Sequence, residues 1–269
     1  MLIPKLRDDA EEIIKTFIKM KVEEAGASGV VIGVSGGLDS AVVAHLCVRT
    51  LGKDKVMAVM MPERHSNPQD LEHGILVTKS LGIEHVVVDI TEAVESFLKT
   101  TAKLKKDKVS AANVKARCRM VALYYIANST NRLVFGCSNK TELMVGYFTK
   151  FGDGGADYLP IGDLYKTQVR ELAKKLGIQK IILDKPPSAG LWEGQTDEAE
   201  MGVSYDILDQ ILYGLETGVP SSQIVKETGC KPSEVKKIQG KIRSSVHKRR
   251  LPLIPKIGFK TPSFDWREY

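Results

Sequence analysis

A six-residue loop, Ser35-Gly-Gly-Leu-Asp-Ser40, lies between a short apolar run and the start of a helical pattern. Its two glycines let the backbone turn tightly and approach an anion, and a helix start supplies unpaired N–H groups and a positive dipole end. The serine hydroxyls can donate hydrogen bonds to phosphate oxygens. Asp39 can lie beside a phosphate only when a cation such as Mg²⁺ is between them. The loop therefore predicts a pyrophosphate site.

Two familiar nucleotide loops do not match this sequence. No lysine follows the glycines, as a Walker A loop requires, and Ser35 after Gly33 breaks the dinucleotide-binding pattern G-x-G-x-x-G. The alternative explanation is structural, because Ser and Asp often cap a helix. The position of the loop between a strand and a helix favours phosphate binding.

The elements that must position this loop alternate between strands and helices. Such alternation predicts an α/β fold with a doubly wound, mostly parallel sheet, in which ligands bind at the carboxyl ends of the strands. The predicted strands are residues 30–34, 55–61, 84–90 and 132–136. The predicted helices between them are residues 39–51, 68–81 and 113–128.

The pattern changes after residue 150. A glycine-rich segment at 152–155 precedes a predicted helix at 164–176. Residues 186–196 lack periodicity and are interpreted as a mobile loop over the site, and residues 204–250 as a small C-terminal helical cap of three short helices. We expect one domain over residues 1–269.

The composition bounds the function classes. Hydrophobic residues make up 43% and charged residues 27% of the 269 residues, which is ordinary for a globular enzyme. Four scattered cysteines favour neither a zinc site nor a disulfide framework, and no leader peptide or membrane-spanning run is evident, so the cytoplasm is expected. The net charge of +6, from 39 basic and 33 acidic residues, suggests an anionic partner: nucleic acid, nucleotide or pyrophosphate.

The loop at 35–40 resembles the pyrophosphate loop of the N-type ATP pyrophosphatases, and later segments resemble the ammonia-dependent NAD synthetase family in particular. Those segments run in order from about residue 10 to 252. They are Asn113-Val-Lys-Ala-Arg-Cys-Arg-Met120, Gly136-Cys-Ser-Asn-Lys-Thr-Glu142, Tyr147-Phe-Thr-Lys-Phe-Gly-Asp-Gly-Gly-Ala-Asp157, Lys185-Pro-Pro-Ser188-Ala-Gly-Leu-Trp-Glu-Gly-Gln-Thr-Asp-Glu198 and His247-Lys-Arg-Arg250. The fold that this resemblance implies is the adenine nucleotide alpha hydrolase-like one.

The resemblance also implies site residues, with ATP as co-substrate and Mg²⁺ as cofactor. Mg²⁺ would lie on Asp39 and Glu142. The implied ATP-binding residues are Gly33, Val34, Ser35, Gly36, Gly37, Leu38, Asp39, Ser40, Cys137, Lys166 and Ser188. Those implied for deamido-NAD are Arg117, Lys150, Asp157, His247 and Lys248. At Cys137 the family commonly has threonine, so the sequence replaces a hydroxyl donor by a weaker S–H donor.

The implied reaction amidates deamido-NAD through an acyl-adenylate. Because the nucleophile must be a neutral amine and no histidine lies nearby in sequence, we expect Asp153 to orient or deprotonate ammonium. Glutamine-using relatives carry a separate amidase domain for which this sequence leaves no room, so free ammonia is the expected nitrogen donor unless a partner protein supplies it. The family is homodimeric, with the deamido-NAD site partly at the interface, and neither a nucleic acid nor a membrane is an expected partner.

Two alternatives remain open from the sequence. A tRNA-thiolating ligase of the same superfamily could use the basic residues between 231 and 250, although no C-x-x-C pair and no added RNA-binding domain is evident. A nucleotide-sensing protein could keep the fold without turnover.

Overall fold

The computed structural model describes residues 2–103, 107–188, 190 and 196–259. At its centre is a parallel four-stranded sheet. The strands in chain order are β1 (Gly29–Gly33), β2 (Val56–Met60), β3 (Glu84–Val87) and β4 (Arg132–Phe135). The strand order is β3-β2-β1-β4, and Val30 pairs with Val56 on one side and Leu133 on the other.

The strand order reverses beside β1. The chain proceeds from β1 outward to β2 and β3, and then returns to place β4 on the opposite side of β1. In open α/β sheets such a switch point opens a crevice at the carboxyl ends of the two strands. The segments that follow β1 and β4 therefore flank one crevice, and these are the segments that carry Asp39 and Glu142.

Helices cover both faces of the sheet. They are α1 (Ala10–Glu24), α2 (Leu38–Leu51), α3 (Pro68–Leu81), α4 (Thr91–Thr100), α5 (Lys108–Ser129), α6 (Lys140–Val145), α7 (Lys166–Leu176), α8 (Lys180–Leu183), α9 (Asp197–Met201), α10 (Tyr205–Glu216), α11 (Ser221–Thr228) and α12 (Pro232–Ser244). Val30 and Ile32 pack into the larger core with α1, α2, α3 and α7, whereas Val31 faces Ala127 of α5. Successive side chains of β1 therefore point into two different cores, one on each face of the sheet. The predicted doubly wound α/β fold is confirmed.

The C-terminal helices α10, α11 and α12 enclose a second core. Tyr205, Leu208 and Ile211 of α10 are buried there with Ile224 of α11 and Ile238 of α12. This cap contacts α6 and α7, the two helices that carry Glu142 and Lys166. The three predicted cap helices are confirmed. The single-domain description of residues 1–269 stays a prediction.

Several boundaries differ from the sequence prediction for local reasons. Helix α5 begins at Lys108, five residues before the predicted start, because the Asp107 side chain accepts a hydrogen bond from Ser110 N and caps it. Helix α4 was not predicted. The strand predicted at 84–90 is shorter in the structure, where β3 ends at Val87. All four residues of β3 are exposed at the edge of the sheet. The predicted mobile loop at 186–196 lies partly outside the described residues.

Candidate active site

The loop after β1 leaves the start of α2 without a side-chain cap. Gly37 is the N-cap residue, and among the residues that the structure describes no side chain accepts a hydrogen bond from the first helical N–H groups. The serines bond within the loop instead: Ser35 Oγ lies 3.2 Å from Ser40 Oγ, and Ser40 Oγ donates to Gly37 O at 3.0 Å. The N-cap position thus belongs to Gly37 and not to Ser35 or Asp39, and Ser35 Oγ accepts from Gly37 N at 3.3 Å. The helix start keeps donors for an anion.

Both the backbone conformation at position 36 and the atoms around it require a glycine there. Its φ of +71° lies in the left-handed region, and a Cβ there would sit 2.2 Å from the carbonyl oxygen of Asp70 in α3. Lys185 Nζ donates to Gly36 O at 3.0 Å and to Asp70 Oδ1 at 2.6 Å. The loop is thus held between α3 and the segment after α8, a contact that the sequence did not indicate.

Helix α6 brings Glu142 to the same crevice from the end of β4. Asn139 Oδ1 accepts from Glu142 N at 3.0 Å, and Glu142 Oε2 accepts from Asn139 N at 3.2 Å, so the two residues form a capping box. The fully buried Asn139 also donates from Nδ2 to Asp39 Oδ1 at 3.4 Å. Asn139 therefore links the two carboxylates predicted to hold a metal.

Lys166 at the start of α7 forms a salt bridge with Asp39. The lysine is 4% exposed, and although burial lowers its pKa, the neighbouring Asp39 and Glu142 carboxylates raise it above the ordinary lysine value. The pKa of Glu142 is raised well above its ordinary value by burial and then by Asp39. One ammonium and two carboxylates are thus gathered where β1 and β4 end.

Sequence reasoning missed two residues beside this cluster, Tyr205 of the cap and Asp197 of α9. The ring of Tyr205 lies under Lys166, with Nζ 5.3 Å from its centroid, and Tyr205 Oη donates to Asp197 Oδ2 at 3.0 Å. Tyr205 and Asp197 are both buried. The only signal in the sequence was that an aromatic and an acidic residue occur in otherwise amphipathic helices, which does not distinguish them from ordinary core residues.

Cys137 lies at the edge of the nucleotide loop. Its Sγ is 4.0 Å from Gly33 O, and burial, followed by the charges of Asp39 and Glu142, raises the pKa of the thiol. The thiol is therefore neutral and close to the crevice. Ser188 is exposed and its Oγ accepts from Gly190 N at 3.1 Å; this contact does not connect it with the loop at 35–40.

Four predicted substrate-binding residues come together in a second group. Arg117 donates to Lys150 O at 3.3 Å, and Lys150 Nζ donates to His247 O at 2.8 Å. Lys248 Nζ donates to Gly146 O and Phe148 O, at 2.8 and 2.9 Å. These contacts join α5, the segment after α6 and the end of the cap into a basic surface formed by Arg117, Lys150, His247 and Lys248.

The two aspartates of the glycine-rich segment are placed differently. Asp153 Oδ1 accepts from Thr149 N at 2.9 Å, and desolvation of the carboxylate raises its pKa above the ordinary aspartate value even though part of the residue is exposed. Asp157 accepts from Tyr124 Oη at 2.9 Å and from Val134 N at 2.8 Å. Both oxygens of Asp157 thus tie β4 to α5, a structural role alongside the predicted one.

Taken together, these groups can bind a polyphosphate at one end of the crevice and an anionic nucleotide at the other. The described residues hold no group of three or more histidine, cysteine, aspartate or glutamate side chains suited to a metal ion. Two carboxylates alone are a common protein contribution to a Mg²⁺ ion that keeps waters and binds phosphates.

The comparisons with known proteins agree with this geometry. The NAD synthase family model matches residues 11–252. The NH(3)-dependent NAD(+) synthetase of Methanocaldococcus jannaschii is 48% identical over 255 residues, covering 93% of this chain and 98% of the relative.

Two solved structures share the fold and most of the chain. The NMN synthetase of Francisella tularensis superposes with a TM-score of 0.83 at 39% identity, covering 93% of this chain and 98% of that one. The NH3-dependent NAD synthetase of Campylobacter jejuni, in complex with nitrate, has a TM-score of 0.78 at 33% identity, covering 92% and 98%. The resemblance found in the sequence is confirmed: this chain belongs to the NAD synthase family.

Proposed function

We propose that this protein amidates deamido-NAD with ammonia in an ATP-dependent reaction that passes through an acyl-adenylate and yields NAD, AMP and pyrophosphate. The observation that carries the proposal is the cluster of buried Lys166 with the half-buried Asp39 and Glu142 beside the uncapped start of α2. The name of the Methanocaldococcus relative, NH(3)-dependent NAD(+) synthetase, supports both the product and the nitrogen donor.

The chemistry requires such a cluster. Forming the adenylate brings a carboxylate to the α-phosphate of ATP, so two anions meet while pyrophosphate leaves. In this proposal the loop at 35–40 holds the pyrophosphate through its N–H groups, and Lys166 offsets the negative charge that develops on it. Burial of Lys166 strengthens this interaction because water screens it less.

The donor set in the crevice fits Mg²⁺. Asp39 and Glu142 present carboxylate oxygens, the ligands that this hard cation prefers, and burial next to Asp39 makes the charged form of Glu142 unfavourable without a further cation. Asp39 and Glu142 would hold the ion, which when bound offsets phosphate charge. Lys166 meanwhile orients Asp39 through their ion pair.

The basic surface of Arg117, Lys150, His247 and Lys248 suits the dinucleotide. Deamido-NAD carries two phosphates and a nicotinate carboxylate, and arginine and lysine donors recognise such groups. We assign Asp157 to the same substrate and Asp153 to orienting or deprotonating ammonium, because a carboxylate with a raised pKa is the better base. Cys137 and Ser188 remain candidates for contacts to ATP.

A second candidate product is NMN, since the Francisella structure at 39% identity is named NMN synthetase. Nicotinate mononucleotide has the same reacting carboxylate but lacks the AMP half. The two substrates should therefore differ in how strongly they depend on the basic surface. A nucleotide sensor without turnover, or a tRNA-thiolating ligase, would accept neither.

The assembly that we propose is a homodimer that shares the substrate site. Arg117, Val121 and Tyr125 are spaced at four-residue intervals along α5 and are all exposed, Val121 by 61% and Tyr125 by 75%. An apolar stripe next to a substrate-binding arginine suits a second copy of this chain better than solvent. No partner nucleic acid or membrane is proposed; none of the helices in the described part combines the length and apolar character needed to cross a bilayer.

We further propose that the enzyme works in the cytoplasm. The four cysteines Cys47, Cys118, Cys137 and Cys230 are all free thiols, which suits a reducing compartment.

The deciding experiment measures NAD and AMP formation from deamido-NAD, ATP and Mg²⁺, with ammonium or glutamine as nitrogen donor. The same assay with nicotinate mononucleotide tests for NMN. Equal amounts of NAD and AMP with ammonium alone support the proposal. Faster turnover of nicotinate mononucleotide would make it, and not deamido-NAD, the substrate. If neither compound gives a product, the nucleotide sensor and the tRNA-thiolating ligase would be the remaining interpretations.

A further inference from the structure

Arg119 is a second arginine of α5, on the opposite side from Arg117. Ala116, Arg119 and Leu123 lie on one helix face at three- and four-residue intervals. Ala116 Cβ is 2.8 Å from a Cβ built on Gly152, and Leu123 Cδ1 is 3.4 Å from one built on Gly33. One end of this face therefore touches the segment that holds Asp153, and the other touches the end of β1. Arg119 lies between the two, where the strands give way to the crevice.

Only part of the Arg119 side chain is used within the protein. Its Nε donates to Met61 O at 3.1 Å, and Met61 is the first residue after β2. Within the described part of the chain, neither terminal nitrogen of the Arg119 guanidinium donates a hydrogen bond. A contact through Nε fixes the plane of the group, so its outer edge is left as a preformed pair of donors.

The surrounding carboxylates do not occupy that edge. Burial lowers the pKa of Arg119 below the ordinary arginine value, and the nearby Glu63, Asp153 and Asp70 carboxylates oppose part of that effect. Each has another partner: Glu63 accepts from Lys115 at 2.8 Å, Asp70 from Lys185 at 2.6 Å and Asp153 from Thr149 N at 2.9 Å. Among the described residues none of the three forms an ion pair with Arg119 within 4.0 Å.

We propose that Arg119 binds the α-phosphate of ATP and keeps it through the adenylate to AMP. The proposal rests on the function above, in which the α-phosphate must lie between the pyrophosphate loop at 35–40 and the ammonia side at Asp153. Arg119 occupies that interval. Two parallel N–H donors match two phosphate oxygens, and this contact would offset the charge on AMP as ammonia displaces it.

The competing explanation is that Arg119 only ties α5 to β2 through Met61. The two explanations differ in what they predict for ligands. A tie between elements affects all ligands and the stability together, whereas a contact to the α-phosphate affects AMP and leaves inorganic pyrophosphate, which has no α-phosphate, unchanged.

The test is calorimetric titration of the full chain with AMP and, separately, with pyrophosphate and Mg²⁺. Losing a hydrogen-bonded charge pair typically costs about 1.5–3 kcal/mol, or roughly ten- to a hundredfold in Kd. We expect that loss for AMP in Arg119→Met, a smaller loss in Arg119→Lys, and a Kd for pyrophosphate within about twofold of the parent. The matched control is Arg49→Met, since Arg49 also donates to a backbone carbonyl, that of Leu176 at 2.9 Å, but at the far end of α2.

Each outcome decides the matter. Unchanged AMP binding in Arg119→Met, or equal losses for AMP and pyrophosphate, overturns the role of Arg119. If Arg119→Met does not fold, as judged by thermal unfolding, Arg119→Lys is titrated instead. The role of Arg119 is then overturned if AMP binding is unchanged, or if the affinities for AMP and pyrophosphate fall equally. If the parent chain binds AMP through Arg119 but makes no NAD, the proposed function fails while the phosphate contact stands.

Discussion

At the scale of single residues, the site depends on how one ammonium and two carboxylates interact where the strands β1 and β4 end. Lys166 forms its ion pair with Asp39, while Glu142 is desolvated next to the same aspartate. Lys166 therefore cannot neutralise both carboxylates. Glu142 has the larger energetic demand for a further cation, and this makes it the residue through which the metal proposal is most directly tested.

Replacing Glu142 by Gln keeps the shape and the cap contact of α6 but removes the charge. Because one electrostatic contributor is typically worth roughly 10²- to 10³-fold in rate, kcat for NAD formation should fall by about that factor. Relieving the carboxylate repulsion should leave the melting temperature equal or higher. The exposed Glu171→Gln is the control, and near-normal kcat in Glu142→Gln would remove this residue from the metal site.

Asp153 gives the reaction a dependence on pH. Its raised pKa means that the carboxylate becomes protonated at a higher pH than an ordinary aspartate, so a base at this position is lost as pH falls through that raised value. The rate with saturating substrates should therefore show an acidic limb that disappears in Asp153→Asn, together with most of the activity. A variant with an unchanged rate and an unchanged pH profile would rule out Asp153 as the group that handles ammonium.

At the scale of elements, periodicity predicted the sheet and most of its helices, whereas it could not predict contacts between elements. Strand β1 was evident because it is buried on both faces and therefore apolar throughout. The exposed edge strand β3 lacks that constraint, and its length was overestimated. The Tyr205 contact with Lys166 and the Lys185 contact with Gly36 join residues far apart in sequence. Nothing in their local sequence distinguishes them from core and surface residues.

The close approach of α3 to the nucleotide loop predicts a strict requirement for glycine at position 36. In Gly36→Ala the added Cβ would collide with Asp70 O, so the loop must move, and the KM for ATP should rise at least roughly tenfold along with a loss of stability. Gly26→Ala is the matched control: its φ is +58°, but a Cβ there meets nothing within 4 Å. It should cost only about 1 kcal/mol of left-handed strain, measured by denaturant unfolding, and leave KM intact. An unchanged KM in Gly36→Ala would contradict the packing argument.

At the scale of the whole molecule, three features matter together: the crevice, the cap and the exposed stripe of α5. The crevice at the switch point between β1 and β4 carries the nucleotide loop, the cap closes over Lys166, and the exposed stripe of α5 begins at Arg117. A partner that covers the stripe would also border the substrate site. Assembly and substrate binding are therefore expected to be coupled, whereas ATP binding at the loop at 35–40 is expected to be independent of assembly.

Tyr125→Glu tests that coupling, because it places a charge at the end of the exposed stripe away from Arg117 without touching the core. A buried unpaired carboxylate would strongly disfavour the interface. Sedimentation velocity should show a dimer for the parent and a monomer for the variant, and the KM for deamido-NAD should rise while the KM for ATP stays unchanged. The control is Ile13→Glu, at a side chain 50% exposed on α1, which should alter neither mass nor KM. A parent chain that sediments as a monomer, or a Tyr125→Glu variant that remains a dimer, would show that the stripe of α5 is not the contact between copies. A monomeric variant with both KM values unchanged would instead confine the deamido-NAD site to one chain.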